Sequence, residues 1–237
     1  MELKQEKIFF IIAPPRSGTT LLQALMNTFS GFCNNEESRI AGPNSPSCWQ
    51  FVIRDNDFNP LEKFIHEKWT SELFVEKSPA SIFCLPQINN RFPDANYIFL
   101  ERNPMKILQS ILNLFFGMSQ IGRRKSDLDT LLSNDSAVAK FEEFRARQLL
   151  KMINYQIRYK HLFKNQITIK YEDLITSPEY NISALENTFG IKANLKQAKE
   201  ILERPSSSSN FRYWYKELSN EKAHALVKLT SRFWGYN

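Results

Sequence analysis

The sequence has little that could staple a chain or embed it. Its three cysteines, Cys33, Cys48 and Cys84, are odd in number, widely spaced and form no C-x-x-C pair. That excludes a disulfide framework and leaves thiols in a reducing compartment as the expectation. The three histidines, His66, His161 and His224, are scattered without ligand-like spacing, so no zinc or other metal site is expected. No Lys/Arg run reaches five residues, which argues against a nucleic-acid partner. The apolar run Ile8 to Pro15 is too short to cross a membrane, and no cleavage-like signal follows it. The expectation is therefore a cytoplasmic chain without stable membrane insertion. Repeats and long linkers are also lacking, so residues 1–237 read as one domain.

What is present is an ordinary globular composition with a basic excess. Hydrophobic residues make up 42% and charged residues 24% of 237 positions, enough to bury a full core without staples. The net charge of +6 could serve nucleic acid, a membrane surface or an anionic small ligand. Continuous apolar runs at Ile8 to Ala13 and Tyr97 to Leu100 read as buried strands, Leu73 to Val75 as a short strand candidate, and Ile167 to Ile169 as another strand. Between them lie helical patterns at 18–29, 80–91, 105–116 and 137–163, and further ones follow at 181–189, 195–202 and 221–233. Pro86 weakens the second of these. Residues 38–60, rich in Pro, Asn, Asp and Ser, read as an irregular excursion. Alternating strands and helices predict an α/β fold, a central parallel sheet flanked by helices.

Chemistry is concentrated first after the leading strand. Pro15-Arg16-Ser17-Gly18-Thr19-Thr20 opens a helix. Free backbone N–H groups at a helix start bind an anion, and the helix dipole favours it. Gly18 allows close backbone approach, Thr19 and Thr20 add hydroxyls, and Arg16 adds a planar fork for phosphate or sulfate oxygens. Alignment with the nucleoside-triphosphate loop G-x-x-x-x-G-K-S/T puts Ala13 at its first glycine and Thr19 at its lysine. A phosphate cradle remains, but the charge needed for β/γ-phosphate chemistry is missing.

The string Pro-Arg-Ser-Gly-Thr-Thr-Leu-Leu resembles the 5'-phosphosulfate loop of PAPS-dependent sulfotransferases (PAPS is 3'-phosphoadenosine-5'-phosphosulfate). A second element is similar to the same family's 3'-phosphate site: Glu101-Arg102-Asn103-Pro104 after an apolar strand, with Ser110 eight positions beyond Arg102 (110 − 102). The strand end is where ligands bind in open α/β sheets. The resemblance implies a P-loop-like sulfotransferase fold, PAPS as co-substrate and PAP (the desulfated product) as product, with no metal. It places Arg16, Ser17, Gly18, Thr19 and Thr20 on the 5' end of the donor and Arg102 and Ser110 on its 3'-phosphate.

Asn34-Asn35-Glu36-Glu37-Ser38-Arg39 resembles the Glu-Glu-Thr-Arg stretch of tyrosylprotein sulfotransferases, and its spacing from the cradle, 21 positions (37 − 16), agrees. By that resemblance Glu37 is the general base, with Glu36 as second choice, and Arg39 orients an acidic acceptor. Lys77, in Glu76-Lys77-Ser78-Pro79, lies 25 positions before Arg102 (102 − 77). The family implies that it stabilises the leaving phosphate oxygen; the alternative is a surface lysine beside Glu76. Lys170-Tyr171-Glu172-Asp173-Leu174 resembles a family segment in which Tyr171 stacks on adenine; a core tyrosine is the alternative. The run Ser206–Ser209 lies where relatives close over the nucleotide, although the Arg-Lys-Gly pattern of cytosolic enzymes is absent. Ser207, Ser208 or Arg212 substitutes for it, or the run is a linker.

The expected acceptor is a small molecule or peptide bearing a hydroxyl or amine, and residues 38–70 and 115–134 are expected to shape its site. A small-molecule P-loop kinase and a nucleotide-binding protein without catalysis are the competing readings. The sequence fixes neither the acceptor nor an oligomeric state.

Overall fold

The computed structural model describes residues 3–33, 46–120, 135–203 and 220–236. The chain divides into two compact units, one of Met1–Glu101 with Tyr155–Arg204 and the other of Arg102–Asn154 with Pro205–Asn237.

The first unit is built on a parallel five-stranded sheet of β1 (Ile8–Ile12), β2 (Phe32–Cys33), β3 (Leu73–Lys77), β4 (Asn96–Glu101) and β5 (Gln166–Lys170), in the order β2-β3-β1-β4-β5. Every residue of β1 and β3 is buried, as a strand covered on both faces requires. Registers run Ile8↔Phe74 to Ile11↔Lys77 on one side of β1 and Phe9↔Asn96 to Ile12↔Phe99 on the other. From β1 the chain turns toward the β2 edge, and after β3 it crosses to the opposite side. The reversal puts the ligand crevice expected for such sheets at the C-terminal end of β1.

Alternation decides what each face carries. Phe9, Ile11, Leu73 and Val75 pack with Leu22, Leu25 and Met26 of α1 (Thr19–Met26). α7 (Tyr171–Thr176), α8 (Pro178–Phe189) and α9 (Leu195–Glu203) add Leu174, Ile182, Leu185 and Ala198 to the same cluster. On the other face the Phe10 ring stacks on Tyr97 at 5.5 Å and meets Trp49 edge-on at 6.1 Å. Trp49 opens α2 (Trp49–Asp55), which is followed by α3 (Asn59–Lys68).

From residue 46 on, these two helices correct the expectation of an irregular excursion over 38–60, whose first part, 38–45, lies outside the described residues. Buried Trp49 and Val52, then Leu61, Phe64 and Ile65, recur at helical spacing, and Pro60 occupies a first-turn position where it costs no hydrogen bond. Short helices among polar residues carry too few apolar positions for a clear stripe. The doubtful helix over 80–91 is a 3-10 turn, Pro79–Cys84, followed by α4 (Leu85–Arg91) with Pro86 in its first turn.

The second unit contains α5 (Pro104–Gln120), most of α6 (Asp135–Tyr159) and α10 (Glu221–Phe233). Asn220 joins two of them. Its Oδ1 accepts from the N–H groups of Lys222 (2.8 Å) and Ala223 (3.2 Å), capping α10. Its Nδ2 donates to Ala139 O at 2.8 Å, and its own N–H donates to buried Glu142 Oε2 at 2.8 Å. Among the described residues no helix is long and apolar enough to cross a membrane.

Candidate functional site

The loop between β1 and α1 has the geometry of a cradle. Pro14 and Pro15 end the strand because they bring no N–H to a ladder. The chain then reverses through Arg16 at φ 69° and Gly18 at φ 100°. A side chain at positive φ is uncommon and costs about 1–3 kcal/mol, so Arg16 is held there by its surroundings. Ser17 is fully buried, and its Oγ has no hydrogen-bond partner among the described residues. Gly18 is the N-cap of α1 and supplies no capping side chain, so the first N–H groups of the helix keep their donors for another acceptor. A buried hydroxyl, a forced turn and a helix start thus converge on a place that suits an oxyanion.

Gly18 is required for a second reason. A Cβ on it would lie 2.3 Å from Cδ2 and 2.5 Å from Cε2 of Tyr171, the first residue of α7. The half-buried Tyr171 ring therefore forms a wall of the cradle.

Lys77 is the last residue of β3 and pairs with Ile11 at the end of β1. Its Nζ donates to Thr20 Oγ1 at 3.5 Å, and the residue is only 6% exposed. The surface-lysine alternative is thereby overturned. Residue alternation sends the neighbouring Glu76 to the opposite face, where its Oε1 accepts from Trp49 Nε1 at 2.9 Å. Glu76 is buried, and two buried thiols lie near it. Burial, with the Glu76 charge as the smaller cause, pushes Cys48 up to about 11 and raises Cys84 as well. Both are thus poor nucleophiles.

The structure brings together Arg16, Ser17, Gly18, Thr19, Thr20, Lys77 and Tyr171 in the first unit. Arg102 and Ser110 belong to the second. Arg102 directly follows β4, and Ser110 lies six residues into α5 (110 − 104), about 9 Å along its axis. Glu101, the last residue of β4, accepts from Lys160 Nζ at 3.1 Å. Asn103 Oδ1 accepts from Met105 N–H at 2.9 Å, fixing the start of α5. Glu36, Glu37, Arg39, Ser207, Ser208 and Arg212 lie outside the described residues.

The Trp49–Glu76 bond and the Tyr171 wall were not foreseen from sequence. One signal pointed to the former: an acidic residue inside a fully buried strand must find a donor. For the latter, the resemblance placed Tyr171 at the nucleotide, but nothing in the sequence set its ring against Gly18.

Residues 43–194 match the sulfotransferase family. No curated protein sequence matches the chain. Several solved structures share its fold. The sulfotransferase STF9 of Mycobacterium avium superposes with TM-score 0.67 at 10% identity, over 99% of this chain and 78% of the other. A sulfotransferase domain from the curacin biosynthetic pathway gives 0.58 at 14%, over 97% and 98%. Mouse sulfotransferase SULT7A1, solved with PAP, gives 0.50 at 12%, over 94% and 75%.

Proposed function

Because the chain belongs to the sulfotransferase family, we propose that it transfers a sulfuryl group from PAPS to a hydroxyl or amine acceptor and releases PAP. The observation that carries this reading is Lys77 Nζ, 3.5 Å from Thr20 Oγ1 at the mouth of the Arg16–Thr20 loop. A cation beside an oxyanion cradle is what departure of a phosphate from sulfur requires. That a fold relative, mouse SULT7A1, was solved with PAP is consistent with the donor.

In this mechanism the loop N–H groups and hydroxyls, with Arg16, hold the 5'-phosphosulfate. Arg102 and Ser110 hold the 3'-phosphate, and Tyr171 contacts the adenine. Glu37 accepts the proton of the attacking group as its oxygen or nitrogen bonds to sulfur. The bond from sulfur to the bridging phosphate oxygen breaks, the electron pair stays on PAP, and Lys77 stabilises that charge. Arg39 orients the acceptor, and Ser207, Ser208 or Arg212 contacts the nucleotide. No step of this mechanism requires a metal ion.

Calorimetry with PAP, ATP and GTP tests the donor. Tight PAP binding without magnesium is expected; tight magnesium-ATP binding with none of PAP would refute the reading. Arg102→Ala is expected to weaken PAP far more than adenosine-5'-phosphosulfate, which lacks the 3'-phosphate. Equal losses would remove Arg102 from its role.

A further inference from the structure

The two strands that flank β1 end alike. β3 closes on Glu76-Lys77, and β4 closes on Glu101 with Arg102 next along the chain. An acid beside each cation is a hazard at a site for an anion, because a carboxylate competes for the cation and repels the ligand. At β3 the pleat separates the two: Glu76 Oε1 accepts from Trp49 Nε1 at 2.9 Å, while Lys77 turns to the cradle. At β4 the acid is also drawn aside. Ile98 and Leu100 pack in the cluster with α1, so Tyr97, Phe99 and Glu101 share the opposite face. There the Phe163 ring meets Tyr97 at 4.3 Å and Phe99 at 5.3 Å. Lys160, three residues before Phe163 (163 − 160), donates from Nζ to Glu101 Oε1 at 3.1 Å.

An ion pair at a strand end often does no more than tie two segments together, and exposed pairs contribute little. This pair is buried at its acidic end: the Glu101 side chain is 6% exposed and that of Lys160 33%. Loss of Lys160 would leave a buried carboxylate uncompensated, which costs more than the intact pair gains. The nearest charge along the chain from that carboxylate is Arg102.

We propose that Lys160 is a positioning residue for the 3'-phosphate site. It neutralises Glu101 and holds it on the Phe99 side, which keeps the carboxylate from competing with the phosphate for Arg102. This rests on the role given to Arg102 in the proposed function; the ion pair and its burial stand without it.

The test is calorimetry of the full-length protein with PAP and with adenosine-5'-phosphosulfate, which lacks the 3'-phosphate. The proteins are wild type, Lys160→Met, Lys160→Arg, Glu101→Gln and the double variant Lys160→Met/Glu101→Gln, with urea unfolding alongside. Lys160→Met is expected to weaken PAP at least about tenfold, the size of one uncompensated charge near the ligand, and adenosine-5'-phosphosulfate by less than about threefold. The double variant removes both charges and is expected to return PAP affinity to within about threefold of wild type. Lys160→Arg, which keeps the pair, is expected to bind as wild type does. A merely structural tie would weaken both ligands together with the fold and would not be rescued by a second loss. Either of those results overturns the proposal, and so does PAP affinity unchanged by Lys160→Met. Where Lys160→Met does not fold, the double variant is compared with Glu101→Gln: equal PAP affinity supports the proposal, and a tenfold loss overturns it. A wild type that binds no PAP sinks the donor reading and this role together, whereas PAP binding indifferent to Lys160 sinks this role alone.

Discussion

Gly18→Ala should damage the cradle through two separable effects. At φ 100° an alanine is strained, at about 1–3 kcal/mol. Its Cβ would also fall 2.3 Å and 2.5 Å from two Tyr171 ring carbons, where about 3.5–4.0 Å is comfortable. The ring must swing away, and overpacking of this kind costs about 1–3 kcal/mol. Together these give about 2–6 kcal/mol, or a fall in melting temperature of roughly 5–20 °C for a chain of this size. The assay is urea and thermal unfolding of wild type, Gly18→Ala, Tyr171→Ala and the double variant. In that cycle Tyr171→Ala should recover the ring part of the loss and leave the backbone part. On the proposed function PAP affinity should also fall in Gly18→Ala, because the turn proposed to hold its phosphate moves with the ring. If Gly18→Ala melted within about 1 °C of wild type, or the two changes were simply additive, the close packing of ring on glycine would be refuted.

Lys77→Met should lower turnover by about 10²–10³-fold while PAP still binds, a loss of the size seen when one oxyanion-stabilising donor is removed. Steady-state kinetics beside calorimetry reads the difference, and a parallel loss of PAP affinity would make Lys77 a ground-state contact. Trp49→Phe removes a donor from the buried Glu76 carboxylate and should cost about 1.5–3 kcal/mol by urea unfolding. Glu76→Gln, which still offers an acceptor, should be milder than Glu76→Leu, and the reverse order would refute the bond. Cys48 is held above its unfolded value of 9.0, at about 11. Its burial therefore contributes stability that is present below pH 9 and lost as pH rises toward 11. Cys48→Ala should flatten the fall in melting temperature over that range relative to wild type, and an unchanged slope would count against it.

Three of the strands were legible because a strand buried on both faces must be apolar throughout, as β1, Leu73 to Val75 of β3 and Tyr97 to Leu100 of β4 are. The turn and helix start after β1 were legible because they are local: Gly18 and the polar residues around it lie within six consecutive residues. Lys77 was legible as a position through its resemblance, but not as a buried group. Two-residue β2 gave no signal, since it is defined only by its pairing with Leu73 and Phe74.

The sequence by itself thus determined the local parts of this protein: apolar strands, a glycine turn that opens a helix, an arginine after β4 and a serine on the following helix. Only the tertiary structure decided how distant parts meet. Register on β1 sends Lys77 to the cradle and Glu76 to Trp49, and a slip of one residue would exchange them. The ring of Tyr171 reaches Gly18 from 153 positions away (171 − 18). Such facts depend on long-range packing and on competition for partners, which no window along the chain contains.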